Sequence, residues 1–551
     1  MVLNRLCKST LLAASAALVA CGGAGEQQPP GAQVNLAGQV GAGGSGSNPV
    51  VTHYAASRFL EQASMGPEPS SVARVRSIGM SGWIDEQLKK PVSRITTPSD
   101  LMSFDQVSDR PRSDRASTLH TNALFDMAVS ADDQLRYRVA WVLSNFLVTS
   151  TRKVNAYGGS EYWNTLMGGA FGSYADLLKA ITVSPAMGNY LDNNQNRRTS
   201  LNENYGRELM QLFSVGMVML NPDGTVKRDA AGKPIETYNQ QDVIEITRAL
   251  TGWEFAPLPE AERAIRNNHN FANFGMQMVA QNAFNHDTAA KMVLGKSIAA
   301  GGDAKKDLDA VVEILLAHPN TAPFVSMRLI QGLTTSDPSP AYVRRVTTVF
   351  EQTRGNLAAV VKAVLTDTEA RAGDVPGKAA QNFGRIREPY LLHTMVLRGM
   401  SCRLAPRGRN NPTQVEFWSD QRPLQADSVF NFYPPNHRAP GSNLLAPEQK
   451  TLDSREFSRR LGRYHWQWHE GSILEAAGCD VETFKKAIAK SDDALLDLMS
   501  ERYFRGAMSA TVRTGLKDGI AGQSWNRDTP TQLMGFMVQA ATMTPPMGAV
   551  K

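Results

Sequence analysis

The segment NENYGRELMQLFSVG, from Asn202 to Gly216, places the strongest single constraint on the fold, because it combines a helical period with signals for both helix ends. Apolar side chains recur at i, i+4, i+7 and i+8, the spacing that puts them on one face of a helix. They are Tyr205, Leu209, Leu212 and Phe213. Asn202 is a favoured N-cap residue, and Gly216 suits the left-handed backbone position just after a helix. We therefore predict a helix between these two residues that buries one face in a core.

Helical spacing of apolar residues continues through most of the chain from residue 51 onward. In the predicted helix over residues 133–148, the apolar stripe is flanked by Arg136 and Arg138, which we interpret as solvated or paired surface groups. Two features are not helical. Met217 to Tyr238 predicts a β-hairpin around the turn NPDG, and Glu254 to Asn285 predicts a long irregular loop.

Length and composition are those of a globular protein with a full core: 551 residues, 42% hydrophobic and 20% charged. We predict a mostly α fold. It is one large multi-helix domain over residues 51–545, of one lobe or two, with a small β-hairpin insertion and long irregular loops. The net charge of +6 forms no dense Lys/Arg run, which argues against nucleic acid as a partner.

Seven segments follow one another along the chain as a recognisable series. They are RFLEQASMGP (58–67), DQLRYRVAWVLS (133–144), NENYGRELMQLFSVG (202–216), DVIEITRALTGW (242–253), HDTAAKMVLG (286–295), PLQADSVFNFYPP (423–435) and APEQ (446–449). Together they resemble the signatures of a bacterial family of uncharacterised exported proteins, the domain of unknown function DUF 1800. The chain departs from that family at Gly206, where Ala is usual and where Gly adds flexibility. The resemblance implies a mostly helical, exported protein and no established reaction.

The first 20 residues have the pattern of a bacterial lipoprotein signal peptide. A basic start with Arg5 and Lys8 precedes a short apolar stretch, which ends in the sequence LVAC at Cys21. The alternative is an ordinary secretory peptide with a fortuitous cysteine. We favour acylation of Cys21, with residues 21–50, rich in Gly, Ser and Pro, as a flexible tether. The protein is then predicted to reside in the cell envelope as an outer-membrane lipoprotein facing the periplasm or the exterior, with the membrane as its partner through acylated Cys21.

Removal of Cys7 with the signal peptide and acylation of Cys21 leave two cysteines, Cys402 and Cys479. An exported protein reaches a compartment in which disulfides persist. Whether these two thiols pair depends on their distance in the fold, so the sequence leaves a possible disulfide open.

Two sets of residues have the spacing of metal ligands. Positions 1, 3, 5 and 12 of a calcium-loop pattern are occupied by Asp192, Asn194, Asn196 and Glu203. Arg197 stands where that pattern needs Gly, so we favour a polar turn that caps the next helix. His465 and His469 lie one helical turn apart, but Trp466 replaces the Glu of a zincin helix, and a packing face is favoured. No metal is therefore predicted, and no cofactor is identified.

Two common catalytic motifs are absent. The sequence before Gly295-Lys296-Ser297 has Ala290 where a phosphate-binding loop needs Gly. No G-x-S-x-G motif occurs, which argues against an ordinary α/β-hydrolase.

The strongest polar constellation lies within the segments that carry the resemblance. Its candidate catalytic residues are His286, Asp287, Glu208 and Asp242, and its candidate binding residues are Glu203, Arg207, Glu245, Arg248 and Lys291. One interpretation is a cleft where carboxylates and the histidine handle protons or hold a cation. The other is a buried ion-pair network that fixes two successive helices. His286-Asp287 is the better catalytic candidate, because it ends a long loop.

Two functions remain in competition. The first is an exported, lipid-anchored envelope protein that binds or scaffolds a partner; the resemblance implies a secreted sulfatase-like protein as one such partner. The alternative is an envelope hydrolase with its site around Glu208, Asp242 and His286. We favour the binding function. A cluster of residues with perturbed pKa values that lines a pocket would support the hydrolase, whereas a fully paired cluster without a pocket, together with an exposed apolar patch, would support binding.

Overall fold

A computed structural model describes residues 50–96, 110–257, 273–404, 421–456, 458, 478–522, 530–544 and 548–550. Cys21, the predicted signal peptide and nearly all of the tether lie outside these residues, as do His465 and His469. The described chain is mostly helical, as predicted. Its helices are α1 (His53–Ala63), α2 (Pro69–Leu88), α3 (Arg110–Ser130), α4 (Gln134–Ser144), α5 (Ala156–Gly169), α6 (Tyr174–Thr182), α7 (Pro185–Tyr190), α8 (Asn204–Gln211), α9 (Gln240–Ala249), α10 (Ala304–Ala317), α11 (Thr321–Leu333), α12 (Pro340–Gln352), α13 (Leu357–Thr366), α14 (Thr368–Arg371), α15 (Pro389–Gly399), α16 (Val481–Lys490), α17 (Asp492–Tyr503), α18 (Ala510–Ala521) and α19 (Pro530–Thr542).

The strands are short and pair only in antiparallel twos. They are β1 (Trp253–Glu254) with β2 (Val279–Ala280), β3 (Lys291–Val293) with β4 (Lys296–Ile298), and β5 (Arg385–Ile386) with β6 (Ala549–Val550). One continuous cluster of buried apolar side chains extends from α1 to α19, so the helices form one domain. The limits of this domain, residues 51 and 545, remain predictions from the sequence. No described helix combines the length and apolar character needed to cross a membrane.

The signature helix is α8, and it begins one residue later than predicted, with Glu203 instead of Asn202 at the N-cap position. Asn202 still helps to start it, because its Oδ1 accepts a hydrogen bond from the Asn204 N–H at 3.2 Å. The predicted apolar face is buried at Tyr205, Leu209 and Phe213 and half-buried at Leu212. Gly216 follows with φ +70°, and its N–H donates to the Met210 carbonyl. The helix itself ends earlier, at Gln211, so the left-handed residue lies in the turn that follows the helix and not directly after its last residue as predicted.

Gly206 serves close packing. A Cβ atom at this position would lie 2.7 Å from Oγ1 of Thr247 on α9 and 3.1 Å from Cγ2 of Ile246. The missing side chain therefore lets α8 and α9 approach each other, which corrects the interpretation that Gly206 adds flexibility.

The surface assignment of Arg136 and Arg138 is wrong. Every residue of α4 is buried, because this helix runs through the middle of the molecule and has no flank in water. Arg138 is fully buried and donates to the carbonyls of Gln62 and Gly332. Arg136 donates to the Met167 carbonyl and stacks over the ring of Phe171 at 4.3 Å.

The predicted hairpin over residues 217–238 has two turns instead of one. Three short segments, centred on Met219, Lys227 and Ile235, pair with one another through single bridges. The predicted NPDG turn joins the first two, and a second turn closed by Asp229 and Lys233 joins the last two. A further hairpin, β3–β4, was not predicted. Its two-residue turn has positive φ at both Leu294 and Gly295, as a type I′ turn requires.

Helix α1 is held by ion pairs that cross the molecule. Arg58 reaches Asp374 at 2.8 Å, and Glu61 binds both Arg387 (2.8 Å) and Arg505 (2.6 Å). Burial alone raises the pKa of Glu61, but the charges of Arg505 and Arg387 outweigh it and hold this pKa below its ordinary value. Segments far apart in sequence are thus fixed to one helix near the start of the described chain.

Candidate functional site

The predicted polar constellation divides into separate groups. In the first, Arg248 of α9 binds two carboxylates: Glu245 on the same helix at 2.9 Å and Asp287 at 2.8 Å. Glu245 Oε2 also accepts the backbone N–H of Met292 at the start of the β3–β4 hairpin. These residues therefore fasten the hairpin to α9, the arrangement expected of a bracing network.

The second group is more deeply buried and centres on Asp307 of α10. Lys291 Nζ lies 2.5 Å from Asp307 Oδ2, and His286 Nε2 lies 3.2 Å from the same oxygen, with poor hydrogen-bond alignment. The other ring nitrogen of His286 faces the carbonyl of Thr251 at 3.0 Å. Burial raises the pKa of Asp307, but its contacts with His286 and Lys291 outweigh burial and hold this pKa below its ordinary value.

The geometry of His286 favours the network interpretation over the catalytic one. Its side chain is fully buried, and the backbone of Gly252, at φ +87°, packs against it. A Cβ at 252 would lie 2.9 Å from the His286 backbone nitrogen. The end of the long loop is thus buried in the core. The sequence pattern did not reveal this, because a long loop is expected to be exposed.

Asp242 and Glu203 also have structural partners. Asp242 forms a capping box with Asn239 at the start of α9, and its Oδ1 accepts the N–H of Leu294 at 3.1 Å. Glu203 binds Arg207 at 2.8 Å, and Gln240 bridges the two side chains from α9. Both carboxylates therefore take part in contacts between secondary-structure elements.

Glu208 differs from the rest of the constellation. It is only 8% exposed, and its Oε2 atom has no hydrogen-bond partner within the described residues. Burial raises its pKa, and the neighbouring charge of Arg207 only partly offsets this. Its candidate partners Asp242 and His286 are engaged elsewhere, so the structure does not assemble the three into one site.

Three of the four calcium-loop residues contact other protein groups, whereas the buried Oδ1 of Asn194 has no hydrogen-bond partner among the described residues. Asp192 binds Lys153 at 2.7 Å and accepts a hydrogen bond from Asn204. Asn196 bridges Asn202 and the Thr247 carbonyl. The turn thus braces the start of α8, as the favoured interpretation has it. Across the described residues, no group of three or more His, Cys, Asp or Glu side chains is placed to hold a metal ion.

Cys402 and Cys479, whose pairing the sequence leaves open, are joined by a disulfide across 77 residues of sequence. It fastens the end of α15 to the start of α16.

A cavity of about 80 Å³ lies at the junction of α4, α8, α11 and the loop over residues 429–435. Its apolar lining consists of Phe146, Leu212, Phe324, Val429 and Phe430, and its main polar groups are Gln211, Arg328, Gln331, Arg385, Tyr433 and Glu448. Four of the segments that carry the family resemblance reach or border this cavity. The sequence interpretation missed it, because the segments are far apart along the chain.

A chain of hydrogen bonds runs along the polar wall of the cavity. Arg328 donates to Gln331 Oε1 (2.9 Å), and Gln331 donates to the Ser336 carbonyl (3.1 Å). The Ser336 hydroxyl donates to Glu448 Oε2 (2.8 Å). Glu448 in turn binds Arg385 at 2.9 Å. A continuous polar wall of this kind fixes side-chain orientation.

Arg385 is the centre of the buried charges behind this wall. It binds Glu448 and, at 2.5 Å, Glu388. Burial and then the charge of Glu388 raise the pKa of Tyr433 well above its ordinary value, so its hydroxyl stays protonated. A sequence signal for this site is the aromatic group with Phe430 and Tyr433 in the segment PLQADSVFNFYPP.

A larger depression of about 480 Å³ lies at the surface beside α2. Three of its charged residues are paired: Arg74 with Glu86 at 2.9 Å, and Asp85 with Lys362 at 2.5 Å. None of the charged residues that line this depression is buried, whereas the smaller cavity has the buried Arg385 and Glu448 in its wall, so the smaller cavity is the better candidate site.

A search of curated proteins and a search of solved structures find no match to this chain. The family model described as "Protein of unknown function (DUF1800)" matches residues 58–547, nearly the whole chain. The chain therefore belongs to the DUF1800 family of proteins of unknown function.

Proposed function

We propose that this protein is an exported, lipid-anchored cell-envelope protein whose helical domain binds a partner or ligand without catalysing a reaction. The observation that carries the binding function is the pairing of the candidate catalytic groups. His286, Asp287 and Asp242 all contact other protein groups that hold secondary-structure elements together. A general acid or base must instead reach a substrate atom.

The proposed cellular location is supported by the sequence LVAC at Cys21 and by the tether that follows it. The disulfide between Cys402 and Cys479 adds to this support, because such bonds persist mainly in oxidising compartments outside the cytoplasm. The proposed location is the outer membrane of the envelope, with the acyl chains of Cys21 as the anchor.

The hydrolase alternative rests on Glu208 alone. Its raised pKa is a property of many catalytic acids. An acid without a second catalytic group beside it is a weak basis for hydrolysis, so binding remains the better proposal. A secreted sulfatase-like protein, implied by the family resemblance, is a partner of the proposed kind.

The anchor is tested by cell fractionation of two cysteine variants. Cys21→Ser is expected to move the protein from the membrane fraction to the soluble exported fraction. Cys7→Ser is the matched control, because Cys7 is removed with the signal peptide, and it should leave the protein membrane-bound. If Cys21→Ser stays on membranes as firmly as the control, acylation at Cys21 is wrong.

A further inference from the structure

The cavity beside α11 is surrounded by more positive than negative charge. Three guanidinium groups lie in or directly behind its polar wall: Arg328, Arg385 and Arg138. Arg138 and Arg385 donate to the same carbonyl, that of Gly332. The carboxylates of this group are Glu388 and Glu448, and both are bound to Arg385. Among the described residues this group therefore carries one more positive than negative charge, and neither Arg138 nor Arg328 binds a carboxylate.

Arg328 is the cation that faces the open space. It lines the cavity and is half-buried, and no carboxylate of the described residues lies within ion-pair distance of it. Its single hydrogen bond, from Nη1 to Gln331, leaves Nε and Nη2 free of described partners. The ring of Phe324, 4.9 Å away, holds the guanidinium plane in place. Burial lowers the pKa of Arg328 to about 10, so the group stays charged at neutral pH.

Apolar side chains form much of the remaining lining. Leu212, Phe146 and Val429 contribute to it, and Phe430, 43% exposed, lies where the cavity meets the surface. A dry cavity of ~150 Å³ accommodates benzene, so the present 80 Å³ suits a group of a few heavy atoms. A larger ligand would have to extend past Phe430 into solvent.

We infer that this cavity binds a carboxylate group carrying a short apolar body, with Arg328 as the anion-binding residue. A guanidinium presents two parallel N–H donors that match the two oxygens of a carboxylate. The single excess charge suits a monoanion better than a doubly charged phosphate or sulfate. The carboxylate has two sources: a small free acid, or the terminal carboxylate of a polypeptide with an apolar last residue. This inference deepens the proposed binding function and rests on it.

The first test is calorimetric titration of the full-length protein in detergent with sodium butyrate and with its neutral amide, butyramide. Butyrate is expected to bind at least ~10-fold more tightly than butyramide, a difference of about 1.4 kcal/mol. Sodium sulfate is expected to bind more weakly than butyrate. Equal binding of butyrate and butyramide, or tighter binding of sulfate, would overturn the inference without the need for any variant.

The second test assigns the binding to Arg328. Arg328→Met retains much of the side-chain volume but removes the charge, and it should weaken butyrate binding at least ~10-fold. Arg344→Met is the matched control, since Arg344 is exposed on the neighbouring helix α12, and it should bind butyrate like the wild type. Arg328→Lys should restore part of the loss. Unchanged affinity in Arg328→Met would exclude this arginine.

A third variant covers the case in which Arg328→Met does not fold. Leu212→Trp enlarges a half-buried side chain on the apolar wall and should obstruct the cavity while leaving Arg328 in place. Butyrate binding is expected to fall at least ~10-fold. Full retention of binding would place the butyrate elsewhere and overturn the inference.

The source of the carboxylate is tested with the tripeptide Ala-Ala-Val and its C-terminal amide. Tighter binding of the free tripeptide than of butyrate indicates a polypeptide terminus, and the reverse indicates a small free acid. If neither the free tripeptide nor butyrate binds, the proposed carboxylate site is wrong. The Cys21→Ser protein, titrated in the same way, separates the two proposals: release from the membrane without carboxylate binding overturns the site and leaves the anchor intact.

Discussion

Glu208 has a carboxyl group that is buried beside Arg207 but does not bind it, because Arg207 turns to Glu203 instead. In the sequence, a carboxylate next to an arginine looks like a member of an ion pair. Only the directions of the two side chains in the fold show whether the pair forms. Burial consequently raises the pKa of Glu208. The stability of the protein should therefore depend on pH through Glu208, in a direction that the raised pKa fixes.

We predict that Glu208→Gln raises the melting temperature at pH 7 by about 1 °C or more relative to wild type. An acid whose folded pKa is above its unfolded value loses stability as pH rises from the unfolded pKa through the folded one. The difference between variant and wild type should therefore shrink from pH 7 to pH 4. Thermal unfolding at both values measures it, with Glu203→Gln as a control on the same helix end. A lower melting temperature for Glu208→Gln at pH 7 would show that Glu208 is a paired brace residue after all.

At the scale of elements, paired polar groups fasten the β3–β4 hairpin between α9 and α10. Arg248 joins it from one side, and Asp307 joins it from the other through Lys291 and His286. Loss of one partner leaves another buried polar group uncompensated, and this generally costs more than a surface ion pair contributes. The network therefore sets how firmly the hairpin is attached.

We predict that His286→Ala lowers the free energy of unfolding by about 2–4 kcal/mol, because it leaves a cavity and removes a partner of Asp307. Denaturant unfolding at neutral pH measures the change. His437→Ala is the control, since His437 is half-buried and its ring has no hydrogen bond in the described part of the chain. A loss below about 1 kcal/mol for His286→Ala would remove His286 from the network and return it to the catalytic candidates.

Acid should weaken the same network. The pKa of Asp307 lies below its ordinary value in the folded state. Its contribution to stability is therefore present above the unfolded pKa and is lost as pH falls through the folded one.

At the scale of the whole molecule, the disulfide closes a long loop. Cys402 and Cys479 are 77 residues apart, and a covalent link across such a loop restricts the unfolded chain. We predict that the double variant Cys402→Ala/Cys479→Ala unfolds with about 2–5 kcal/mol less free energy than wild type. Unfolding with and without a thiol reductant measures it. The reductant should have no effect on the double variant, and no effect on wild type would show that the bond does not form.

Elements with local signals were predictable from the sequence. Helix α11 (Thr321–Leu333) has the helical spacing of apolar residues, and α15 begins at Pro389, a residue that suits the first turn of a helix. The burial of Arg138 was not predictable, since α4 looks like a surface helix until other helices surround it. The cavity was missed for the same reason. Arg328 and Glu448 are 120 positions apart, and only the packed core brings them to one wall.

The ion pairs of α1 have a mechanical consequence. Tension applied to the chain at residue 50 passes directly into α1. There it meets Arg58 bound to Asp374, and Glu61 bound to both Arg387 and Arg505. Such a load cannot be relieved by peeling off a peripheral helix, because these contacts tie α1 to three distant parts of the sequence. A pull on the proposed tether would thus act on these three distant parts of the chain together.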